Sequence, residues 1–292
     1  MRLRLRDREL DLAPGRPALM GIVNATLDSF SDPQGAKELD DLVERGLALE
    51  REGAAIVDVG GESGRTDRQP VSEQEESARV VAVVERLVAE GVSVSVDTWR
   101  PLPARAALEA GASMVNDVSG LADPELAWLC ARYGAALVLT HTRVQPKVKD
   151  YAEMPDVMRD VTSFLESRMA VALENGLAED QLVLDPGFDL GKQVGESVEI
   201  LTRLGELEPL GRPLLLAISR KDFVGAITER RPADRDAGTL AAIEPALELA
   251  IGSLLRVHDV AGAADFLAVR AQLRDDAPEL SELSSDLRRE SV

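Results

Sequence analysis

The amino-acid sequence predicts a single α/β domain folded as an eight-stranded (β/α)8 barrel. Eight short apolar runs alternate with amphipathic helical patterns, and this alternation is typical of a parallel sheet covered by helices. Eight units are the number that closes a barrel, and the 292 residues suit one such domain, since these barrels commonly span about 250 residues. The predicted strands are residues 18–24, 54–61, 93–97, 113–118, 135–141, 182–187, 214–219 and 253–258.

The helical patterns carry the expected end signals. Gly53, Gly91 and Gly176 each follow a helical pattern and are suited to end it. Pro245 lies within the helical run 239–250 and predicts a kink there. An open doubly wound sheet is the alternative fold, but no G-x-G-x-x-G follows the first strand. The clearest predicted helices are residues 37–52, 72–90, 156–175 and 194–207.

Composition excludes several classes of function. A net charge of −19 and only 3% aromatic residues disfavour nucleic-acid binding and acidic lipid surfaces. The single cysteine, Cys130, provides neither a disulfide nor a thiolate metal site and is expected in the core. No apolar run reaches the roughly 20 residues of a membrane span, and the N-terminus lacks a signal-peptide core. We expect a soluble, cytoplasmic protein with a core over about residues 18–272 and a frayed, charged tail after about Arg274.

Polar residues recur where the predicted strands end. Catalytic groups of such barrels come from the C-terminal strand ends and the loops after them. Asp and Asn are also ordinary turn and capping residues, which is the alternative interpretation. Six strand ends place a polar residue on the same side, with period two, so we expect these residues to converge. They are Asn24, Asp97, Asn116, Asp185, Lys221 and His258.

Four basic or potentially basic residues close the last two strands. Arg220 and Lys221 follow the seventh predicted strand, and Arg256 and His258 end the eighth. Many barrels hold a phosphate in this region. In so acidic a chain, this cluster predicts a local anion site.

Other polar strand residues allow two interpretations. His141 and His258, the only histidines, lie in no zinc-ligand spacing, whereas Asn24 with phosphate oxygens suits a hard divalent cation. Asp58 points inward from the second strand, and a buried hydrogen-bonded carboxylate is favoured slightly over a supporting role in a site.

Seven motifs along the chain include the polar strand ends. They are MGIVNATLDSFSD (20–32), DVGGES (58–63), SVDTWR (95–100), NDVSG (116–120), DPGFDLGK (185–192), SRKDFVG (219–225) and RVHDV (256–260). Together they resemble the dihydropteroate synthase family over about residues 18–272. They occur in the family's order, which makes the resemblance more specific than any one motif.

The resemblance implies a transferase that joins 4-aminobenzoate to 6-hydroxymethyl-7,8-dihydropterin diphosphate, releasing diphosphate. It also implies a Mg²⁺ ion, with Asn24 as its ligand, and a homodimer formed through outer helices. The implied catalytic residues are Asp97, Lys221, Arg256 and His258. The implied pterin-binding residues are Asp97, Asn116, Asp185 and Lys221. The implied diphosphate-binding residues are Asn24, Arg65, Arg256 and His258.

The chain departs from the family pattern around the second substrate. Leu27 replaces a proline in the first loop, and Gly64 and Thr66 replace Thr and Pro beside the retained Arg65. Asp222 stands where the family has Ser or Arg, which with a helix N-terminus receives the acceptor carboxylate. Two carboxylates in such a cleft repel by on the order of 1–3 kcal/mol. Alternatively, Asp222 turns away and caps the following helix.

Three functions are consistent with these motifs. The first is dihydropteroate synthase, and the alternative is a paralogue that binds the pterin, or its diphosphate, but has another acceptor or no synthase activity. The third is a pterin sensor, which Asn24, Arg256 and His258 argue against because a sensor needs no diphosphate site. A methyltetrahydrofolate-dependent methyltransferase fits the SRK and RVHDV motifs poorly.

Overall fold

Eight parallel strands close a barrel, which confirms the predicted fold. The structure is a computed structural model that describes residues 1–6, 8–25, 33–62, 70–148, 150–151 and 154–274, without the side chains of 33–37. The closed order is β10-β3-β4-β5-β6-β7-β8-β9, and β1 and β2 form a separate antiparallel hairpin. Numbered along the chain, the strands are β1 (Arg2–Arg4), β2 (Glu9–Asp11), β3 (Ala18–Asn24), β4 (Ala54–Gly60), β5 (Val94–Asp97), β6 (Met114–Asp117), β7 (Ala136–Thr140), β8 (Leu182–Asp185), β9 (Leu214–Leu216) and β10 (Ser253–Val257).

Helices follow the barrel strands and cover the outside. Gly53, Gly91 and Gly176 adopt positive φ angles of 109°, 84° and 90° just after three of them, as predicted for helix ends. Ser72 and Asp156 begin two helices by accepting backbone N–H groups. The helices are α1 (Pro33–Arg51), α2 (Glu73–Ala89), α3 (Pro101–Glu109), α4 (Glu125–Tyr133), α5 (Val157–Glu174), α6 (Val194–Thr202), α7 (Asp222–Thr228), α8 (Asp236–Ala241), α9 (Glu244–Leu247) and α10 (Val260–Leu273).

Several predicted boundaries differ from the structure. The strand predicted over 214–219 ends at Leu216, and the helix predicted over 37–52 begins at Pro33. The helix predicted over 194–207 ends at Thr202, and a 3-10 segment continues to Leu210. The run around Pro245 divides into α8 and α9 instead of kinking, with Pro245 in the first turn of α9, where its missing N–H costs nothing. The strand predicted to reach residue 187 ends at Asp185, because Pro186 cannot donate to the ladder.

The two faces of the strands bury different apolar clusters. Outward residues such as Val57, Val96 and Leu184 pack beneath the helices. Inward residues such as Met20 and Met114 fill the barrel and pack with residues of the N-terminal segment. The period-two reading of the strands is therefore confirmed.

The N-terminal hairpin closes one end of the barrel, which the sequence patterns did not predict. Leu3, Leu5 and Leu12 are buried against the first inward residues of the barrel strands. These residues lie at the N-terminal end of the barrel, so the C-terminal end remains for a site. Alternation of leucine and arginine in the first strand was the available signal.

Substitution of Leu3 by alanine is expected to lower the free energy of unfolding by about 2–4 kcal/mol through a cavity, without changing the reaction rate. Leu3 is fully buried, whereas Arg2 beside it is 71% exposed in its side chain. Chemical denaturation and steady-state kinetics measure both effects, with Arg2→Ala as the control. Equal stability of the two variants would contradict a packed role for the hairpin.

Elsewhere, Cys130 lies fully buried in α4, and burial raises the pKa of its thiol, as expected for a core cysteine. Across the described ranges, no helix is long and apolar enough to cross a membrane. The tail predicted to fray, from residue 275 onward, lies outside the described residues.

Candidate active site

Polar residues replace the apolar layer at the C-terminal end of the barrel. Most of them lie two residues beyond an inward apolar residue of the same strand. The others are paired in register with such a polar residue on the neighbouring strand, as Asp97 lies opposite Asn116. Thr140 and Asp185 likewise lie opposite each other. Strand alternation therefore aims them into the barrel mouth. Asp58, Ser95, Asp97, Asn116, Thr140, Asp185 and Arg256 form this group, which we call the mouth ring.

Arg256 joins two carboxylates across the mouth ring. Its Nε donates to Asp58 Oδ2 at 2.6 Å, and its Nη2 donates to Asp97 Oδ2 at 2.7 Å. Asn116 Nδ2 also donates to Asp58 Oδ2, at 3.1 Å. Asp58 is fully buried and hydrogen-bonded, and its contacts with Arg256 and Asn116 also fit the supporting role that was the alternative. Asp58 fixes the guanidinium, and the guanidinium positions Asp97.

Two carboxyl groups of the mouth ring, those of Asp97 and Asp185, have raised pKa values. Burial raises the pKa of Asp97 to about 7, although Arg256 opposes the rise. Burial likewise raises the pKa of Asp185, whose Oδ1 accepts the backbone N–H of Gly187 at 2.7 Å. The pKa of Arg256 is raised, because Asp58 and Asp97 outweigh the desolvation of its side chain. Asp97 therefore titrates near neutrality, where a small change of surroundings changes its charge.

Several buried oxygens of the mouth ring have no hydrogen-bond partner among the described residues. They are Asp58 Oδ1, Ser95 Oγ, Asn116 Oδ1 and Thr140 Oγ1. A buried polar atom without a partner costs about 1–3 kcal/mol. A flat ligand with N–H and carbonyl groups along one edge would satisfy such atoms.

Lys221, one of the predicted cations, binds a backbone carbonyl at this end of the barrel. Its Nζ donates to the carbonyl of Phe188 at 2.9 Å, which ties the start of α7 to the loop after β8. A second lysine, Lys192, holds the same loop and was not predicted as a site residue. Lys192 is 2% exposed, and its Nζ donates to the carbonyls of His141, Gly187 and Leu190.

The basic cluster is less cationic than the sequence indicated. Arg220 donates to both carboxylate oxygens of Asp236, at 2.7 and 2.9 Å, and Arg256 is engaged by the mouth ring. Burial, with the charges of Arg220 and Arg256, lowers the pKa of His258 to about 4, so its ring is neutral at pH 7. Pairing of Arg220 and Arg256 with carboxylates and the burial of His258 account for the difference, and sequence order reveals neither.

Ser219 holds both the backbone and the ring of His258. The backbone N–H of His258 donates to Ser219 Oγ at 3.2 Å, and the same Oγ lies 2.9 Å from His258 Nδ1. A hydroxyl that accepts the backbone N–H can donate its own proton to Nδ1, and the proton of a neutral ring is then on Nε2. In that tautomer His258 is a neutral donor, although it was predicted within a basic cluster.

Asn24 ends β3 as an exposed residue, and its amide offers one oxygen toward the site. Within the described ranges, no group of three His, Cys, Asp or Glu side chains is placed to hold a metal. One amide oxygen still fits Mg²⁺, which keeps several waters and prefers phosphate oxygens as its other ligands. Leu27, Gly64, Arg65 and Thr66 lie outside the described residues.

Asp222 neither caps α7 nor lies free. Its carboxylate Oδ1 accepts from Arg235 Nη1 at 3.2 Å, and Lys221 is the residue before the helix. The backbone N–H of Asp222 donates instead to Asp189 Oδ2 at 2.6 Å. Asp189, from the loop after β8, was missed because only the folded loop brings it to α7.

A second group of charges lies beside the mouth and was also missed. Glu62, from the end of β4, pairs with Arg100 and with Lys147, the latter at 2.6 Å. Arg100 also pairs with the buried Glu76 at 2.7 Å. These ion pairs connect the loops after β4, β5 and β7.

Comparison with known proteins identifies the family. The family model described as "Pterin binding enzyme" matches residues 20–258. The dihydropteroate synthase of Mycobacterium leprae is 39% identical over 288 residues, which are 95% of this chain and 100% of that protein. The chain belongs to the dihydropteroate synthase family.

Solved structures of dihydropteroate synthases agree with this assignment. The Xanthomonas albilineans enzyme with 4-aminobenzoic acid is 40% identical, with a TM-score of 0.84 over 95% of this chain and 100% of that one. The same enzyme in complex with 7,8-dihydropteroate is 40% identical, with a TM-score of 0.81 over 94% and 100%. Like its family, the chain is therefore an enzyme of the transferase class with a (β/α)8 barrel.

The matched region contains every described residue of the mouth ring. The dihydropteroate synthase motifs supply Asp58, Ser95, Asp97, Asn116, Asp185 and Arg256, and Thr140 is an additional member. The roles of these residues in this member of the family remain predictions, which rest on their geometry at the barrel mouth.

Proposed function

We propose that the protein condenses 6-hydroxymethyl-7,8-dihydropterin diphosphate with 4-aminobenzoate to give 7,8-dihydropteroate and diphosphate. The mouth ring supports this proposal most directly, because it combines carboxylates, amide groups and a guanidinium in a buried setting. The named relatives, matched along nearly their whole length, favour the synthase over a paralogue without that activity. The remaining oxygens of the mouth ring offer acceptors to the amino and N–H groups of a pterin.

The pterin would lie among four residues. Asp185 accepts ring N–H groups, Asn116 offers its free amide oxygen, and Lys221 donates to the ring carbonyl. Asp97 lies on the side reached by Arg256. Each role follows from the donors and acceptors that these side chains present to the mouth.

Bond breaking then separates charge. The C–O bond to the diphosphate breaks with its electron pair on oxygen, leaving a pterin cation stabilised by resonance. Asp97, ionised and held by Arg256, faces the cation, while Nε2–H of His258 and Arg256 face the leaving oxygens. The amine nitrogen forms the new C–N bond and releases its proton to the leaving group or solvent. Lys221 serves catalysis by holding the pterin in position.

Asn24 and Arg65 would bind the diphosphate, and Asn24 would also be a ligand to Mg²⁺. When bound, Mg²⁺ neutralises charge on the diphosphate oxygens. A single amide oxygen suits this role because the substrate oxygens and water complete the coordination.

The test is a two-substrate assay with purified protein, the pterin diphosphate, 4-aminobenzoate and Mg²⁺. We expect dihydropteroate and diphosphate in equal amounts. Calorimetry with the pterin diphosphate alone is run beside it. Binding without product would favour a paralogue, and an absence of both would reject the proposed function.

The rate is expected to rise with pH through about 7, because Asp97 must be ionised to face the pterin cation. The raised pKa also means that the folded state binds a proton between about pH 3.9 and 7 that the unfolded chain has lost. This contribution to stability is complete below that range and is lost as pH rises toward 7. Profiles of kcat/KM and of unfolding free energy check both statements.

Asp97→Asn is the matched variant for this prediction. We expect lower activity, a flatter acid limb of kcat/KM, and loss of the decline in stability between about pH 4 and 7. An acid limb that keeps its position near pH 7 in the variant would assign the titration to another group.

We also propose that the chain is one cytoplasmic domain that works as a homodimer through its outer helices. Exposed apolar side chains on α7 and α10 support a shared surface: Ile227 is 67% exposed and Val269 60%. Light scattering measures the oligomeric state.

A further inference from the structure

A small cavity lies between the loop after β8 and the start of α7. It has a volume of about 240 Å³ and is lined by Tyr151, Asp189, Lys192, Gln193, Val194 and Asp222. Lys192 binds the loop that begins at Asp185, and Asp222 directly follows Lys221. The cavity therefore lies beside two of the residues that would hold the pterin, where an acceptor amine can approach.

Two carboxylates dominate the walls of this cavity. Asp222 has a side chain that is 68% exposed, and Asp189 is partly buried. Asp189 takes the backbone N–H of Asp222 with Oδ2 and accepts the Ser197 hydroxyl with Oδ1 at 3.2 Å. A carboxylate of the chain itself thus occupies the donor that a ligand anion would otherwise meet at this place.

The neighbouring cations already donate hydrogen bonds to groups of the protein. Lys192 has three carbonyl partners for its three N–H groups. Arg235 binds Asp222 and also donates to the carbonyls of Arg220 and Lys221. These groups offset part of the negative charge. Lys221 also contributes positive charge, but its Nζ donates to the carbonyl of Phe188 and would turn its other N–H groups to the pterin.

We propose that Asp189 and Asp222 set the selectivity for the acceptor, so that the cavity favours an arylamine with an uncharged group opposite its amine over one with a carboxylate. This inference rests on the proposed function and deepens it. 4-Aminobenzoate is a substrate but binds more weakly than its amide, because its carboxylate faces like charges.

The experiment compares KM for 4-aminobenzoate and 4-aminobenzamide at saturating pterin diphosphate. We expect the native enzyme to have a KM for the amide lower by about tenfold, equivalent to about 1.4 kcal/mol. Asp189→Asn and Asp222→Asn should each lower KM for the carboxylate several-fold and leave KM for the amide unchanged. Asparagine retains the accepting oxygen and tolerates the φ of 63° at position 189.

Asp11→Asn is the control, because it removes the same charge from an exposed position on the hairpin at the other end of the barrel. It should change neither KM. A measurement without any variant is the effect of salt: raising ionic strength should lower the native KM for the carboxylate and not for the amide.

A native KM lower for the carboxylate, or equal shifts for both amines in the Asn variants, would overturn this inference alone. Absence of product with both amines would overturn the proposed function and this inference with it. Selective shifts for the carboxylate would support it.

Discussion

Replacement of Arg256 by methionine is expected to reduce kcat/KM for the pterin diphosphate by on the order of 10²–10³ and to destabilise the fold by about 3–5 kcal/mol. Arg256 is only 18% exposed in its side chain and contacts Asp58 and Asp97 at 2.6 and 2.7 Å. Without it, two carboxylates face each other in the barrel with Asn116 as a remaining donor. Steady-state kinetics and denaturant unfolding at pH 7 measure the two effects.

Arg203→Met is the matched control. Arg203 also joins two carboxylates, Glu199 and Glu206, at 2.5 and 2.6 Å, but on an exposed helix surface. It should change stability much less than Arg256→Met does and leave the rate unchanged. The difference between the two arginines isolates the effect of burial.

A second substitution tests whether the unpaired charge of Asp58 causes the loss of stability. Asp58→Asn in the Arg256→Met background removes the unpaired buried charge and should restore part of the stability without restoring activity. If the double variant were no more stable than the single one, the loss would have to be assigned to packing of the arginine side chain instead.

Strand periodicity was sufficient to predict which residues converge. Asp97, Asn116 and Asp185 lie in the mouth because strands alternate their faces, and the barrel brings all C-terminal ends together. Local sequence determines that alternation. The fold and the membership of much of the site follow from it.

The contacts that these side chains make with one another could not be predicted in the same way. Arg256 contacts Asp97 across 159 positions of sequence, and Asp189 reaches Asp222 across 33. Such contacts depend on strand register, loop path and side-chain length together. The sequence therefore indicated a cluster of positive charge, whereas the folded chain neutralises Arg220 with Asp236.

The contacts of the Asp222 side chain also could not be predicted from the sequence. Two outcomes were open from sequence, repulsion of an acceptor carboxylate or capping of α7, and the structure shows a contact with Arg235 instead. Asp189 supplies the carboxylate at the start of α7. A loop residue with a φ of 63° provides little sequence signal, since aspartate occurs in many turns.

Substitution of Lys192 by methionine is the second large effect that we expect. The three carbonyls bound by Nζ fix the loop that carries the acceptor of Lys221, so their release should raise the Kd for the pterin diphosphate by at least about tenfold. The carbonyls of His141 and Leu190 lose the Lys192 donor, whereas Gly187 keeps the backbone N–H of Leu190, so stability should also fall by about 2–4 kcal/mol near pH 6. Calorimetry and unfolding curves measure these changes.

The pH dependence of stability separates the effect of the Lys192 charge from the effect of its packing. Burial lowers the pKa of Lys192 to about 7, with Asp185 opposing and Lys221 adding to the shift. Between about pH 7 and 10 the unfolded chain then holds a proton that the folded chain has lost, so this residue makes stability rise with pH. The methionine variant lacks that rise.

Lys147→Met is the comparison, because Lys147 is a partly buried lysine that pairs with a carboxylate, Glu62, on another side of the mouth. It should leave the affinity for the pterin diphosphate closer to the native value, because Arg100 still pairs with Glu62. Equal losses of affinity in both variants would show that Lys192 stabilises the barrel generally. A loss confined to Lys192→Met would tie the loop after β8 to the position of Lys221, since that loop links the two lysines through Gly187 and Phe188.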